Sequence, residues 1–159
     1  MSRVRILGIG SPSGDDQAGW LTIDALLTAG LQGDEGMIIE KLDRPGANLI
    51  PQLDGAAWVI LVDAMQSSSP IGHIRHFGME DWPAYSQGLS SHGLGVLDAL
   101  SLARELGGLP ARLDLYGIEI GPVSPCGQAR SEIQAAAQQL ARRISVELAL
   151  ASRRTDRKT

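Results

Sequence analysis

The chain opens on an unbroken apolar stretch, Val4 to Gly10, that closes in glycines and runs into Ser11-Pro12-Ser13-Gly14. A short β-branched and aliphatic run with a glycine-rich end predicts a buried strand. From Asp16 the spacing changes. Trp20, Ile23, Ala25, Leu26 and Leu27 recur at helical intervals, and Gly30 fits a helix stop. Met37 to Leu42 predicts a second strand, ended by Asp43-Arg44-Pro45-Gly46, and Asn48 to Leu53 a brief helix. The strongest strand signal is Ala57 to Val62, apolar at every position, a pattern found where both faces of a sheet are covered. Beyond the loop Ser67 to Pro70, Gly72 to Phe77 reads as a weaker, edge strand and Gly78 to Ser91 as irregular chain. Leu94, Leu97, Leu100, Ala103 and Leu106 mark a helix stopped by Gly107-Gly108, and Leu113 to Ile120 a further strand. Ile133, Ala137, Leu140, Ile144 and Leu148 share one face of a long C-terminal helix.

Strands alternating with helices predict an α/β protein, three layers αβα, with a mainly parallel twisted sheet of about five strands. Residues 1–152 are expected to form a single α/β domain, and residues 153–159, basic and poor in apolar side chains, a disordered tail. In parallel strands the carboxyl ends point one way, so Gly10, Leu42, Val62 and Ile120 should share one rim. Ligands of open α/β sheets bind at that rim.

Composition narrows the function classes. The chain has 159 residues and a net charge of −4, with 43% hydrophobic and 20% charged residues. Nothing electrostatic recommends nucleic acid or an anionic membrane as partner. One cysteine, Cys126, allows no internal disulfide and suits a reducing compartment. No apolar run approaches the roughly 20 residues of a membrane span, and Gly10, Pro12 and two aspartates interrupt the first apolar stretch too early for a signal peptide. The expected location is the cytoplasm.

Candidate chemistry gathers at the predicted rim. Asp15 and Asp16 follow the first strand, Asp63 the third, and His92 follows Ser90-Ser91 at the start of a helix. Two carboxylates about 6 Å apart at an effective dielectric near 20 repel by roughly 3 kcal/mol, so such a cluster calls for a compensating cation. Two carboxylates and one neutral imidazole can hold a transition metal with positions left open. Residue by residue, blander roles compete. One of Asp15 and Asp16 is expected to cap the following helix, Asp63 could bond loop amides, and His92 could be an ordinary first-turn residue. His73 and His76 read as structural or exposed, and Cys126, without a CxxC partner, as inert. There is no complete dinucleotide fingerprint, P-loop or Gly-x-Ser-x-Gly elbow.

Leu7-Gly8-Ile9-Gly10-Ser11 with Asp15-Asp16 and Gly19, then Leu61-Val62-Asp63-Ala64, then Ser91-His92-Gly93-Leu94-Gly95, resembles the hydrogenase maturation endopeptidases. The resemblance covers nearly the whole chain. It implies a peptidase that removes the C-terminal extension of a nickel–iron hydrogenase large-subunit precursor after nickel insertion. It places the metal-contacting acid on Asp16, the second acid on Asp63 and the histidine on His92. By the same resemblance the nickel is expected to belong to the precursor rather than to be a resident cofactor, and the enzyme is expected to be a monomer. An acid is also usual where Asp43 stands, a candidate for substrate binding, with a turn-forming role for Asp-Arg-Pro-Gly equally good. Two departures stand out: the family usually has asparagine at the position of Ser11, and often glutamate, one methylene longer, at that of Asp16. A different class, the phospho-accepting receiver domain, shares the acidic pair and an aspartate after strand three. Receivers need a lysine at the end of the last strand, where this chain has Glu119-Ile120-Gly121.

Overall fold

The computed structural model describes residues 3–34, 36–80, 95–122 and 127–157. Five strands form one sheet: β1 (Val4–Gly10), β2 (Met37–Asp43), β3 (Trp58–Met65), β4 (Ile74–Phe77) and β5 (Arg112–Glu119). Their order is β2-β1-β3-β5-β4. All neighbours pair in parallel except β4, which runs antiparallel to β5 at the edge, where the weak strand signal predicted it. Helices α1 (Ala18–Thr28), α2 (Leu49–Leu53), α3 (Val96–Glu105) and α4 (Ser131–Arg157) cover the sheet.

Side-chain alternation assigns the two faces. Along β3, Trp58, Ile60, Val62 and Ala64 pack with Ile23 and Leu26 of α1 and Ile133, Leu140 and Ile144 of α4. Val59, Leu61 and Met65 pack on the other face with Leu49, Leu53, Val96, Leu97 and Leu100 of α2 and α3. Successive strand residues point to opposite faces, so Asp63 belongs to the α2/α3 side. β3 is buried along its whole length, as its unbroken apolar run required. Helix α1 leaves β1 on one face while α2 enters β3 from the other, so the strand order reverses between β1 and β3. That junction is the switch point at which open α/β sheets bind ligands.

Glycines set how closely α1 lies on the sheet. A Cβ on Gly19 would run into the carbonyl oxygens of Ile9 and Val62, and one on Gly8 into the backbone of Gly19. Gly10 is in the same position against the carbonyl of Asp16. The first turn after β1 is therefore a 3-10 turn, Gly14–Gln17, and α1 begins two residues later than the apolar periodicity suggests. At the other end, α4 continues through Arg157, so residues 153–157 are helical rather than the disordered tail expected. The run Ala149-Leu150-Ala151-Ser152-Arg153-Arg154 is made largely of strong helix formers, and intrahelical hydrogen bonds need no apolar face to continue.

His76 is structural. Its Nε2 lies 2.6 Å from Asp114 Oδ1, and its ring stacks on Tyr116 with centroids 4.7 Å apart, pinning β4 to β5. Burial pushes Asp114 up, but hydrogen bonds from His76 and Trp58 and the charge of Arg112 outweigh it and hold the carboxyl below its usual range.

Gly19→Ala should lower stability by about 2–3 kcal/mol, because the new methyl has backbone rather than a flexible side chain to displace. Denaturant unfolding of the two proteins measures the difference. An exposed helix glycine substituted in the same way would gain stability instead.

Candidate functional site

Asp15 and Asp16 are adjacent and have different fates. Asp15 does not line the cleft. Its Oδ1 accepts from the backbone N–H of Arg130 at 2.9 Å, and its Oδ2 pairs with the Arg130 guanidinium at 2.8 Å and receives the Gly121 amide at 3.4 Å. It ties the end of β5 and the entry to α4 to the first loop. The cap expected from one of these acids on the following helix is not made: Gln17 stands at the N-cap of α1 without a side-chain cap bond. The bonding capacity of Asp15 goes to a partner 115 residues away.

Asp16 sits in the 3-10 turn and faces the cleft. Ser11, only 4% exposed, closes this turn: its N–H donates to the Asp16 carbonyl at 3.2 Å and its hydroxyl to Asp16 Oδ2 at 3.4 Å. Ser11, for which sequence suggests no role, thus holds the acid in place. Asp63 reaches the same cleft from β3. Its Oδ1 accepts from the Ala64 amide at 2.8 Å. Burial pushes its pKa up, the Ala64 bond pulls it down and the charge of Asp16 adds to the rise, so that it stands at about 8.

The cleft bounded by both acids has a volume of about 60 Å³ and is walled by apolar side chains, Ile9, Leu49 and Val96. That is room for several waters or for an ion with its ligands. Among the described residues neither Asp16 nor Asp63 forms an ion pair. Asp43, at the end of β2 beside Gly10, is half exposed and pairs with Arg44 at 3.0 Å. Arg44, rather than Asp43, lines the cleft. The apolar wall and Arg44 had no individual signal in the sequence, because both depend on how β2, α2 and α3 pack around the end of β1. His92 and Cys126 lie outside the described residues. Among the described residues no group of three or more His, Cys, Asp or Glu is arranged to hold a metal ion, and no helix is long and apolar enough to cross a membrane.

A carboxyl whose folded pKa exceeds its unfolded value keeps its proton longer in the folded protein. The contribution of Asp63 to stability should therefore fall as pH rises from 3.8 to about 8 and level off above. Asp63→Asn keeps an acceptor for the Ala64 amide and removes the titration. The metal-free variant should match wild type near pH 4 and exceed it at pH 8 by on the order of a few kcal/mol. Chemical denaturation across that range measures the crossover.

Comparison with known proteins follows this geometry. Comparison with curated protein sequences returns no match. Among solved structures, the chain is similar to the hydrogenase maturating endopeptidase HybD from E. coli, 22% identical with a TM-score of 0.81 over 94% of this chain and 93% of that one. It is also similar to an endopeptidase from Escherichia coli solved in solution, at 24% identity and a TM-score of 0.76, over 97% and 93% of the two chains. The NiFe hydrogenase maturation protease HybD from Thermococcus kodakarensis, 23% identical, gives a TM-score of 0.71 over 92% and 98%. At these identities the likeness is one of fold. A family model, HycI hydrogenase maturation protease, matches residues 44–147, a span from the loop after β2 through most of α4. That span is well over half of the chain, and with it the chain belongs to the hydrogenase maturation protease family, a family of peptidases and hence of hydrolases.

Proposed function

We propose that this peptidase removes the C-terminal extension of a nickel–iron hydrogenase large-subunit precursor once nickel is in place, and that Asp16, Asp63 and His92 recognise the nickel. One observation carries the reading: two carboxylates from separate segments border one cleft at the switch point, and neither has an ion-pair partner among the described residues. Such a pair is costly when empty and favourable around a cation. The part of His92 rests on the resemblance of Ser91-His92-Gly93 to the family's third motif. Residues 1–152 act as one domain, a cytoplasmic monomer whose partner is the precursor protein rather than nucleic acid or membrane.

The nickel arrives as part of the substrate. Asp16, Asp63 and His92 would hold it on the precursor, and it would supply positive charge that polarises the scissile carbonyl. The protein's own groups do the rest. Ser11 holds Asp16 in its turn, the Ala64 amide orients the Asp63 carboxyl, and Ile9, Leu49 and Val96 wall the cleft in which the water attacks. Water adds to the carbonyl carbon, the carbon–nitrogen bond breaks, and the new amine leaves with a proton. The receiver reading lacks its cation: Glu119, at the end of β5, is buried and accepts hydrogen bonds from the Ser67 amide and hydroxyl.

Purified protein incubated with nickel-loaded precursor should release the C-terminal peptide, and metal-free precursor should stay intact. Asp63→Asn should cut processing at least about a hundredfold, the range seen when a group stabilising a transition state is removed. Mass spectrometry of the large subunit reads both results. Equal processing of metal-free precursor, or full activity of Asp63→Asn, contradicts the proposal.

A further inference from the structure

We propose that Arg44 is a specificity-determining residue of the cleft, its guanidinium binding a carboxylate that the substrate carries beside the scissile bond. The inference rests on the processing activity proposed above. Three observations lead to it. First, Arg44 is held at φ 39°, in the left-handed region that favours glycine, while its N–H donates to the Gly10 carbonyl at 3.0 Å. A side chain at such a position carries a backbone cost that glycine would not, and strain of this kind collects at binding sites. Second, the contact that Arg44 makes does not repay that cost. Its Nε donates to Asp43 Oδ1 at 3.0 Å, but the two side chains are 64% and 53% exposed, and an exposed pair of this sort adds little stability.

Third, the pairing leaves a useful geometry. With Nε engaged by Asp43, the plane of the guanidinium is set, and its two terminal nitrogens form no bond among the described residues. A planar fork with two donors on one edge matches a carboxylate. Among the described residues that line the cleft, Arg44 is the one cation, and it shares that lining with the carboxyl groups of Asp16 and Asp63. The lining therefore carries charges of both signs. Asp16 and Asp63 accept the cationic part of the substrate, and Arg44 accepts an anion. A substrate with both charges is favoured in the orientation that pairs each with its opposite. The carboxylate has two possible sources, an acidic side chain near the cleavage point or the free terminus of the extension, and both present the same chemistry to the fork.

Steady-state processing of nickel-loaded precursor by full-length wild type, Arg44→Gly and Arg44→Lys tests this. Arg44→Gly should raise KM about tenfold or more with kcat within about twofold, as expected for a lost charge-assisted contact. Its melting temperature should equal or exceed that of wild type, because glycine suits the backbone. Arg44→Lys, which keeps the charge without the fork, should recover part of the affinity. Neutralising acidic side chains of the precursor one at a time, or adding neutral residues to move the free terminus away, identifies the source. The right change should raise KM for wild type and leave Arg44→Gly unaffected. An unchanged KM for Arg44→Gly overturns the assignment, as does a fall in its melting temperature that accounts for the lost activity. Failure of wild type to process the precursor at all overturns the proposed substrate and this inference with it, an outcome distinct from normal processing by every variant.

Discussion

The close approach of α1 to the backbone of β1 and β3 is the contact on which the site depends. It exists because Gly8 and Gly19 leave no side chain between helix and sheet, so Gly19 can lie on the carbonyls of Ile9 and Val62. Its consequence is positional. The chain must leave β1 through a tight 3-10 turn, and that turn delivers Asp16 to the same cleft that Asp63 reaches from β3. A methyl at either glycine pushes the helix off the sheet and takes the acid with it. Packing and chemistry are here the same constraint.

The adjacent acids show how that constraint divides labour. Asp15 is neutralised by Arg130 and two amides and acts as a brace between the first loop and the start of α4. Asp16, one residue on, receives the hydroxyl of Ser11, has no ion-pair partner among the described residues, and lines the cleft. Asp63 is buried beside it, and desolvation first, then the neighbouring charge, pushes its pKa up to about 8. An arrangement that raises the pKa of a buried acid in the free protein is one that a bound cation relieves.

Much of this was legible in the chain itself. The unbroken run before Asp63 predicted a strand covered on both faces, and parallel packing then put its carboxyl end level with that of β1. The weak signal of Gly72 to Phe77 gave an edge strand, and its antiparallel direction came from pairing with β5. What stayed hidden involved partners distant in sequence. Nothing local distinguishes Asp15 from Asp16, because the distinction is made by Arg130 at the far end of the chain. The part played by Ser11 depends on the return of the turn onto it. Arg44 looked like an ordinary turn residue, because its left-handed backbone follows from the alignment of Asp43 with Gly10. Helix propensity carried α4 to Arg157 after its apolar pattern had ended.

The central claim is that Asp16 and Asp63, drawn together by the glycine contact, form one electrostatic unit. Carboxyl-carbon NMR titration of the metal-free protein, wild type beside Asp16→Asn, measures that coupling directly. The account predicts that Asp63 titrates near 8 in wild type and at lower pH once the charge of Asp16 is removed. An Asp63 that titrates near 4 in wild type, or whose midpoint is the same in both proteins, would contradict it.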